Sequence, residues 1–462
     1  MAGVATGDAF GERSAAFIGF VSTGVSLLIA LSIFPSSPSQ QGALVTPALV
    51  LSAGILFVPI VRAIRRNPTV LNAENLVAGG FLFWLLLDLI QGAYVLDDAP
   101  DWAIRDAFIA IGVSAAFMWL GVTGRPWSIP NWLAEVAARP LNTETIARLV
   151  PICFALGMFN FAYSTNFDPA AMFSYIGRER WAAPWGREQL GGWNAFLDQM
   201  QYFGFVLPSL TALLIARRGF RLQTWVAIVL SGIMLTFLSQ GGGRRIIGVT
   251  VGAAIVAWIQ SQPGITFRKF ILAVVLAIGL LTAMQFMLNI RTRGYEDFTL
   301  RGGESEYDYL HVDDNFLRLA QMIELVPAQY PYVQFQQVWF TLVRPVPRVF
   351  WPGKPVDAGI DFSAAVGAKG VSLSTSIIGE WYLSYGWLAL MFGGWLHGRL
   401  AATANVLRND ERFRANPIVF ALAVMVLVAG MRSMQDLVIM SYALVAWWAA
   451  NRIAQARVAP SR

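Results

Sequence analysis

The sequence is poor in the residues on which much protein chemistry relies. It has one cysteine, Cys153, and two histidines, His311 and His397, in 462 residues. A lone cysteine excludes an internal disulfide, and this one stands in an apolar run, where it packs as a small hydrophobe. There is no cysteine–histidine cluster and no HExxH pattern, so no metal site is expected. The acidic turn holding Asp97, Asp98 and Asp101 reads as solvated rather than as a cation site. A phosphate loop of the G-x-x-x-x-G-K-[ST] type is missing too, so nothing points to nucleotide hydrolysis, and no cofactor is expected. Lysine is scarce: of 34 basic residues only Lys269, Lys354 and Lys369 are lysine. Charged residues make up 13% of the chain, against roughly a quarter in soluble domains. That excludes an ordinary water-soluble fold. The sequence pI of about 9.6 comes from loop arginines, and with no basic stretch outside the membrane frame, nucleic acid is not an expected partner.

What the chain does have is apolar length. Apolar residues are 56% of the total, and runs near 20 residues, the length that crosses a bilayer, recur throughout. Twelve candidate spans lie near 15–34, 43–64, 74–96, 103–123, 145–165, 194–216, 222–240, 244–261, 270–290, 376–398, 416–431 and 434–452. The first follows only Asp8, Glu12 and Arg13 and lacks a small-residue cleavage site, so it reads as a retained span. The expected fold is all-α: a polytopic integral membrane protein of about 12 transmembrane helices. Residues 1–462 form a single membrane domain, with one long external loop, 291–375, between spans nine and ten.

Basic residues set the orientation. With the N-terminus inside, 19 fall on the inner segments and seven on the short outer ones. Long loops cross regardless of charge, so this comparison puts both termini in the cytoplasm. The outer cations then need a local reason, and they gather in three places. The turn Gln240-Gly241-Gly242-Gly243-Arg244-Arg245 opens span eight. Glycines such as Gly242 and Gly243 let backbone N–H groups approach an anion, the helix start adds its positive dipole end, and two guanidiniums add phosphate-shaped donors. A tight hairpin with snorkelling arginines is the plainer reading. Loop 166–193 carries Arg178, Arg180 and Arg187 among Trp181, Trp185 and Trp193. That mixture suits sugar faces or an interface anchor equally.

The long loop is the third place. It opens with Arg291 and Arg293, then passes through an acidic-aromatic stretch containing His311. Asp313 or Asp314 can cap a helix running to about Val326, whose apolar side is Phe316, Leu317, Leu319, Ala320 and Ile323. Tyr330 to Trp351 is rich in aromatics and reads as a segment lying on the bilayer. Arg344, Arg348 and Lys354 follow on a backbone stiffened by prolines, which suits a preorganised anion site or a collar for lipid headgroups. Glu380, near the outer end of span ten, is costly in a membrane unless it pairs or works. It is a candidate general base, as is His311, or else an arginine's partner. Asp88 with Gln91 reads as buried and hydrogen-bonded or as facing a polar cavity. Arg432 and Asp436, four apart, can pair on one helix.

On three segments the chain resembles the bacterial oligosaccharide repeat-unit polymerases (O-antigen and exopolysaccharide polymerases, Wzy-type). They are Leu238-Ser-Gln-Gly-Gly-Gly-Arg-Arg245, Pro345-Val-Pro-Arg-Val-Phe-Trp-Pro-Gly-Lys-Pro355 and Ser376-Ile-Ile-Gly-Glu-Trp-Tyr-Leu-Ser-Tyr-Gly386. The motif-bearing part covers roughly 230–400; the first half matches only in hydropathy. The pattern more often reads Gly-Ser-Arg at the turn, which leaves open whether Arg244 or Arg245 matches it. The resemblance implies a glycosyltransferase at the outer face of the bacterial plasma membrane. It would move a growing glycan from a polyprenyl-pyrophosphate carrier to a new lipid-linked unit without a metal. Its implied partners are those lipid-linked oligosaccharides, membrane lipids, a chain-length regulator and a flippase of the same pathway. In this scheme Arg244, Arg245 and Arg291, beside Arg293 and Arg180, hold one pyrophosphate. Arg344, Arg348 and Lys354 meet the other or the glycan, and Glu380 or His311 takes the acceptor's proton. An O-antigen-type ligase, another outer-face glycosyltransferase or a flippase for the same lipids are the alternatives.

Overall fold

The computed structural model describes residues 6–93, 95–176, 178, 182–185, 194–240, 243–262, 267–293, 309–346, 348–355, 359–368 and 373–456. Among them every regular element is helical. The first third comprises α1 (Thr6–Ser32), α2 (Val45–Ile55), α3 (Phe57–Ile64), α4 (Ala73–Phe81), α5 (Leu87–Ile90), α6 (Asp101–Thr123) and α7 (Asn131–Ala137). The middle holds α8 (Thr143–Ser164), α9 (Pro169–Ser174), α10 (Asn194–Gln199), α11 (Gln201–Arg218), α12 (Leu222–Ser239), α13 (Arg244–Gln260) and α14 (Phe267–Arg293). The last third holds α15 (Asn315–Leu325), α16 (Gln336–Val343), α17 (Phe362–Ala365), α18 (Ser376–Asn409), α19 (Pro417–Gly430), α20 (Met434–Met440) and α21 (Tyr442–Ala456).

Among the described residues seven helical stretches are long and apolar enough to cross a membrane, or eight when α2 and α3, bent by 61°, count as one. Their surfaces show which solvent they meet. Phe17, Leu28, Leu222, Val229 and Ile278 are large, apolar and exposed on α1, α12 and α14. Exposed apolar area on this scale marks contact with lipid rather than water. Where the solvent is itself apolar, helices associate through close packing of small residues. The α6–α18 pair does so. A Cβ on Gly394 would lie 2.4 Å from the Ser114 carbonyl oxygen, and one on Gly121 would lie 2.1 Å from that of Trp395.

Three departures from regular helix shape the molecule. Between α4 and α5 a π-helical turn, Leu82–Leu86, leaves the Trp84 carbonyl to accept from Asn315 Nδ2 at 3.1 Å. α18 is not one straight rod, because Tyr385 (φ −149°, ψ 31°) and Gly386 (φ 63°, ψ −142°) break it. Glycine is needed at 386 for that positive φ. The carbonyls freed at the break are not left bare, since Leu383 O and Ser384 O accept the N–H groups of Val333 and Gln334 at 3.0 Å. Backbone freed at membrane depth survives only when it is satisfied in this way. Finally, Ser433 opens α20, its Oγ accepting from the Asp436 N–H at 3.0 Å.

Cross-contacts sort the connections into two ends of one bundle. At one end Arg62 pairs with Glu74, Asn405 and Arg408 reach residues 68–74, and Asn416 bonds the Val136 carbonyl. At the other end, the start of α13, the turn before α20 and segment 309–314 meet.

Candidate functional site

The second end gathers most of the described residues that the sequence singles out. The expected helix after Asp314 is present as α15, and Phe316, Leu317, Leu319, Ala320 and Ile323 are all buried. Each such side chain contributes about 1.5–3 kcal/mol on burial, enough to dock α15 against α6 and α18. The expected capping differs in detail. Asp314 sits at the N-cap without a side-chain cap bond and lies 3.6 Å from Arg318. Asp313 is used elsewhere, accepting from Arg432 Nε at 2.8 Å. The approach to α15 is held from span three: Gln91 bonds both the N–H and the carbonyl of Leu310, and buried Asp88 accepts the Val312 N–H at 3.4 Å. Asp88 is therefore a buried, hydrogen-bonded group.

Arg244 and Arg245 are the first two residues of α13, as the turn motif implies. They diverge. Arg244 donates Nη1 to the His311 carbonyl at 2.7 Å, tying helix and loop together. Arg245 reaches Asp436 at 2.8 Å. Asp436 also receives Arg432 Nη1 at 3.1 Å, so the same-helix pair expected from sequence belongs to a larger network. Burial alone would lower the Arg432 pKa, but the carboxylates of Asp313 and Asp436 more than offset it and hold it above the usual arginine range.

Glu380 lies on the short segment of α18 before the break and is half-buried. Its Oε2 accepts the Met434 N–H at 2.6 Å, and the Gln337 side chain donates to it as well. It thus closes the start of α20, where free N–H groups favour a carboxylate. His311 is 7% exposed, its ring edge-on to Tyr309 at 5.8 Å. His397 is buried against the Leu427 carbonyl, far along α18.

Arg344, Arg348 and Lys354 form the cationic part. Lys354 Nζ donates to the carbonyls of Arg344 and Val346, both at 2.8 Å, which folds residues 344–354 back on themselves. With the Gln435 amide turned so that its oxygen faces the guanidinium, that oxygen lies 2.9 Å from Arg344 Nη2 and 3.1 Å from Nε. Among the described residues no carboxylate lies within ion-pair distance of any of the three. Burial, and then Arg348, lower the Arg344 pKa; burial, Arg344 and Arg348 lower that of Lys354. Like charges held together, with no carboxylate of the described residues in ion-pair range, favour an incoming anion. Tyr202 and Tyr442, ring centroids 5.3 Å apart, lie within electrostatic range of Arg344.

The segment preceding this group turns apolar side chains outward. α16 turns Gln337 and Thr341 inward, while Trp339 (52%) and Leu342 (59%), with Phe335 (70%) just before it, are exposed. This inverted amphipathicity suits a helix lying at a membrane interface. Arg180 and Gly242 lie outside the described residues, as do Arg187, Trp181 and Trp193. α14 ends at Arg293, but the side chains of Arg291 and Arg293 are likewise outside. Sequence reasoning passed over Asp313 as an ion-pair partner, Gln337 and Gln435. Only the Ser433-x-x-Asp436 capping pattern signals that a helix start faces Glu380. No family model, curated protein or solved structure matches the chain.

Proposed function

We propose that this protein is a polymerase of polyprenyl-pyrophosphate-linked oligosaccharide repeat units, working at the outer face of the bacterial plasma membrane. The observation that carries the reading is the trio Arg344, Arg348 and Lys354, held on a closed loop without a carboxylate among the described residues, at the same bundle end as Arg244 and Glu380. The twelve-span topology follows if α13, α14, α18 and α19 also cross, and both termini are then cytoplasmic.

The chemistry divides among these groups. Breaking the anomeric C–O bond of the donor releases a lipid pyrophosphate, whose growing charge fixed cations stabilise without reorganisation. Arg348 and Arg344 take that part, and Lys354 sets the loop that aims them. The acceptor sugar hydroxyl attacks the anomeric carbon and gives up its proton. Glu380 receives it in this scheme, being more accessible than the imidazole of His311. Arg244 and Arg245 hold the second pyrophosphate beside the start of α13. The exposed side of α16 lies in the lipid headgroup region and brings the carrier's tail alongside.

The test is reconstitution. Purified protein is given a lipid-linked repeat unit with a metal chelator present, and the products are resolved by size. A ladder of lengthened, still lipid-linked glycans is expected. Glycan appearing on a different acceptor would mark a ligase, and transport without extension would mark a flippase.

A further inference from the structure

The opposite end of the bundle holds a cleft of about 310 Å³ between the C-terminal end of α6, the 124–127 segment and α18. Its floor is Arg399, which is 7% exposed. The guanidinium lies between two indoles, 5.2 Å from the Trp127 ring centre and 5.9 Å from that of Trp395. One nitrogen, Nη2, donates to the Arg125 carbonyl, while Nε and Nη1 have no acceptor among the described residues. Gly124 permits this placement, because a Cβ there would come within 2.2 Å of Nη1. The wall is anchored: the Trp127 N–H donates to Thr403 Oγ1 at 3.1 Å. At the mouth stands Arg125, exposed, and among the described residues no carboxylate lines the cleft.

A buried guanidinium without an anionic partner is costly. Two cations beside a void, at a helix end flanked by tryptophans, describe a headgroup pocket. The surface leading to it tells a lipid from a free ion. On α18, Leu388 (78% exposed), Phe392 (50%) and Trp395 precede Arg399 at steps of four, three and four, so they share one helix face. The Phe392 and Trp395 rings are 5.7 Å apart, and Trp395 meets Trp127 edge-on at 6.4 Å. From Leu388 to Arg399 the helix rises roughly 16 Å, about the depth of one leaflet's hydrocarbon.

The geometry points to a binding site for an anionic diacyl phospholipid. Its phosphate sits in the Arg399 cleft against Arg125, and an acyl chain lies along Trp395, Phe392 and Leu388. Arg125 makes the direct contact, and Arg399 supplies fixed charge behind it. The site is separate from the proposed glycosyl-transfer site and does not rest on it.

Native mass spectrometry of the full-length protein in detergent tests this, with phosphatidylglycerol, phosphatidylcholine of the same chains, and inorganic phosphate as probes. Phosphatidylglycerol should be retained about tenfold better than phosphatidylcholine. Arg399→Gln and Arg125→Gln should each cut that preference about fivefold. Leu388→Ser should weaken both lipids without changing the preference. Arg125 is exposed, so its variant keeps the test valid should Arg399→Gln fail to fold. Equal retention of the two lipids, or variants that retain the wild-type preference, would overturn the proposal. Competition by inorganic phosphate as effective as that of the lipid would overturn the lipid assignment in favour of a free anion.

Discussion

Two arginine clusters, one around residue 70 and one around residue 350, use the same side chain in opposite ways. Around residue 70 the network is closed. Buried Glu74 gives one carboxylate oxygen to Arg62 at 2.7 Å and the other to Asn405 at 2.5 Å, and Arg408 is taken up by Asn72 and the Pro68 carbonyl. Each charge has its acceptor, and the result is a clamp joining α3, α4 and α18. Around residue 350 the balance is left open: Arg344 leans on an amide and Lys354 on carbonyls, with Arg348 beside them. A closed network stabilises the native state; an open one favours an added anion. Composition alone cannot separate these uses, since the residue type is the same at both ends.

Breaking the closed network should have the largest effect on the fold. Glu74→Ala leaves Arg62 buried and uncompensated, a loss of about 3–5 kcal/mol. Thermal unfolding in detergent should show it as a large drop in midpoint, and polymer yield should fall only in proportion to folded protein. A midpoint close to wild type would mean that the clamp is not what joins those helices. The open end should respond the other way. Arg348→Ala should lower the rate of glycan extension about 10²–10³-fold with the unfolding midpoint nearly unchanged. Undiminished polymer length and yield in this variant would remove Arg348 from the mechanism.

The contrast itself was not legible in the sequence; parts of the fold and of the site were, and the rest was hidden for a physical reason. Local patterns gave α15 and its buried face and the position of Arg244 and Arg245 at a helix start, because each depends on residues a few positions apart, whereas α16 was not read as a helix within the aromatic segment. The break at Tyr385–Gly386 did not show, and span ten read as continuous. That break is held by the N–H groups of Val333 and Gln334, some fifty residues earlier, a pairing that no local periodicity encodes. The same holds for the contact of Glu380 with the start of α20, 54 residues along the chain, which its own segment does not signal. Of the twelve spans read from hydropathy, seven stretches among the described residues are long and apolar enough, or eight with α2 and α3 taken together across their 61° bend, while α13 and α19 are shorter.

Asp436 stands on the border between the two regimes, binding Arg245 and Arg432 at once. Asp436→Asn would make this end more open still. It should cost about 1–3 kcal/mol of stability and raise the affinity for inorganic pyrophosphate, read by calorimetry. Unchanged affinity would show that Arg245 and Arg432 do not face the anion site.

The smallest effect separates open from closed most directly. Lys354 has a pKa held below the ordinary lysine value by burial and by Arg344 and Arg348. In the unfolded chain the amine titrates near 10.4. Between the lowered folded value and the ordinary one the unfolded chain binds more protons, so stability rises with pH across that window. Below the window the cost of the charged amine is fully present; above it the cost is gone. A bound anion reverses the preference, because it favours the protonated amine, so pyrophosphate affinity should fall as pH climbs through the same range. Wild type should therefore gain a little in unfolding midpoint from neutral pH to about 10 relative to Lys354→Met, while its stabilisation by pyrophosphate shrinks. The variant should lose both trends. Were the two proteins to show the same pH slope, the charge on Lys354 would be balanced already, and the 350 end would be as closed as the one around Glu74.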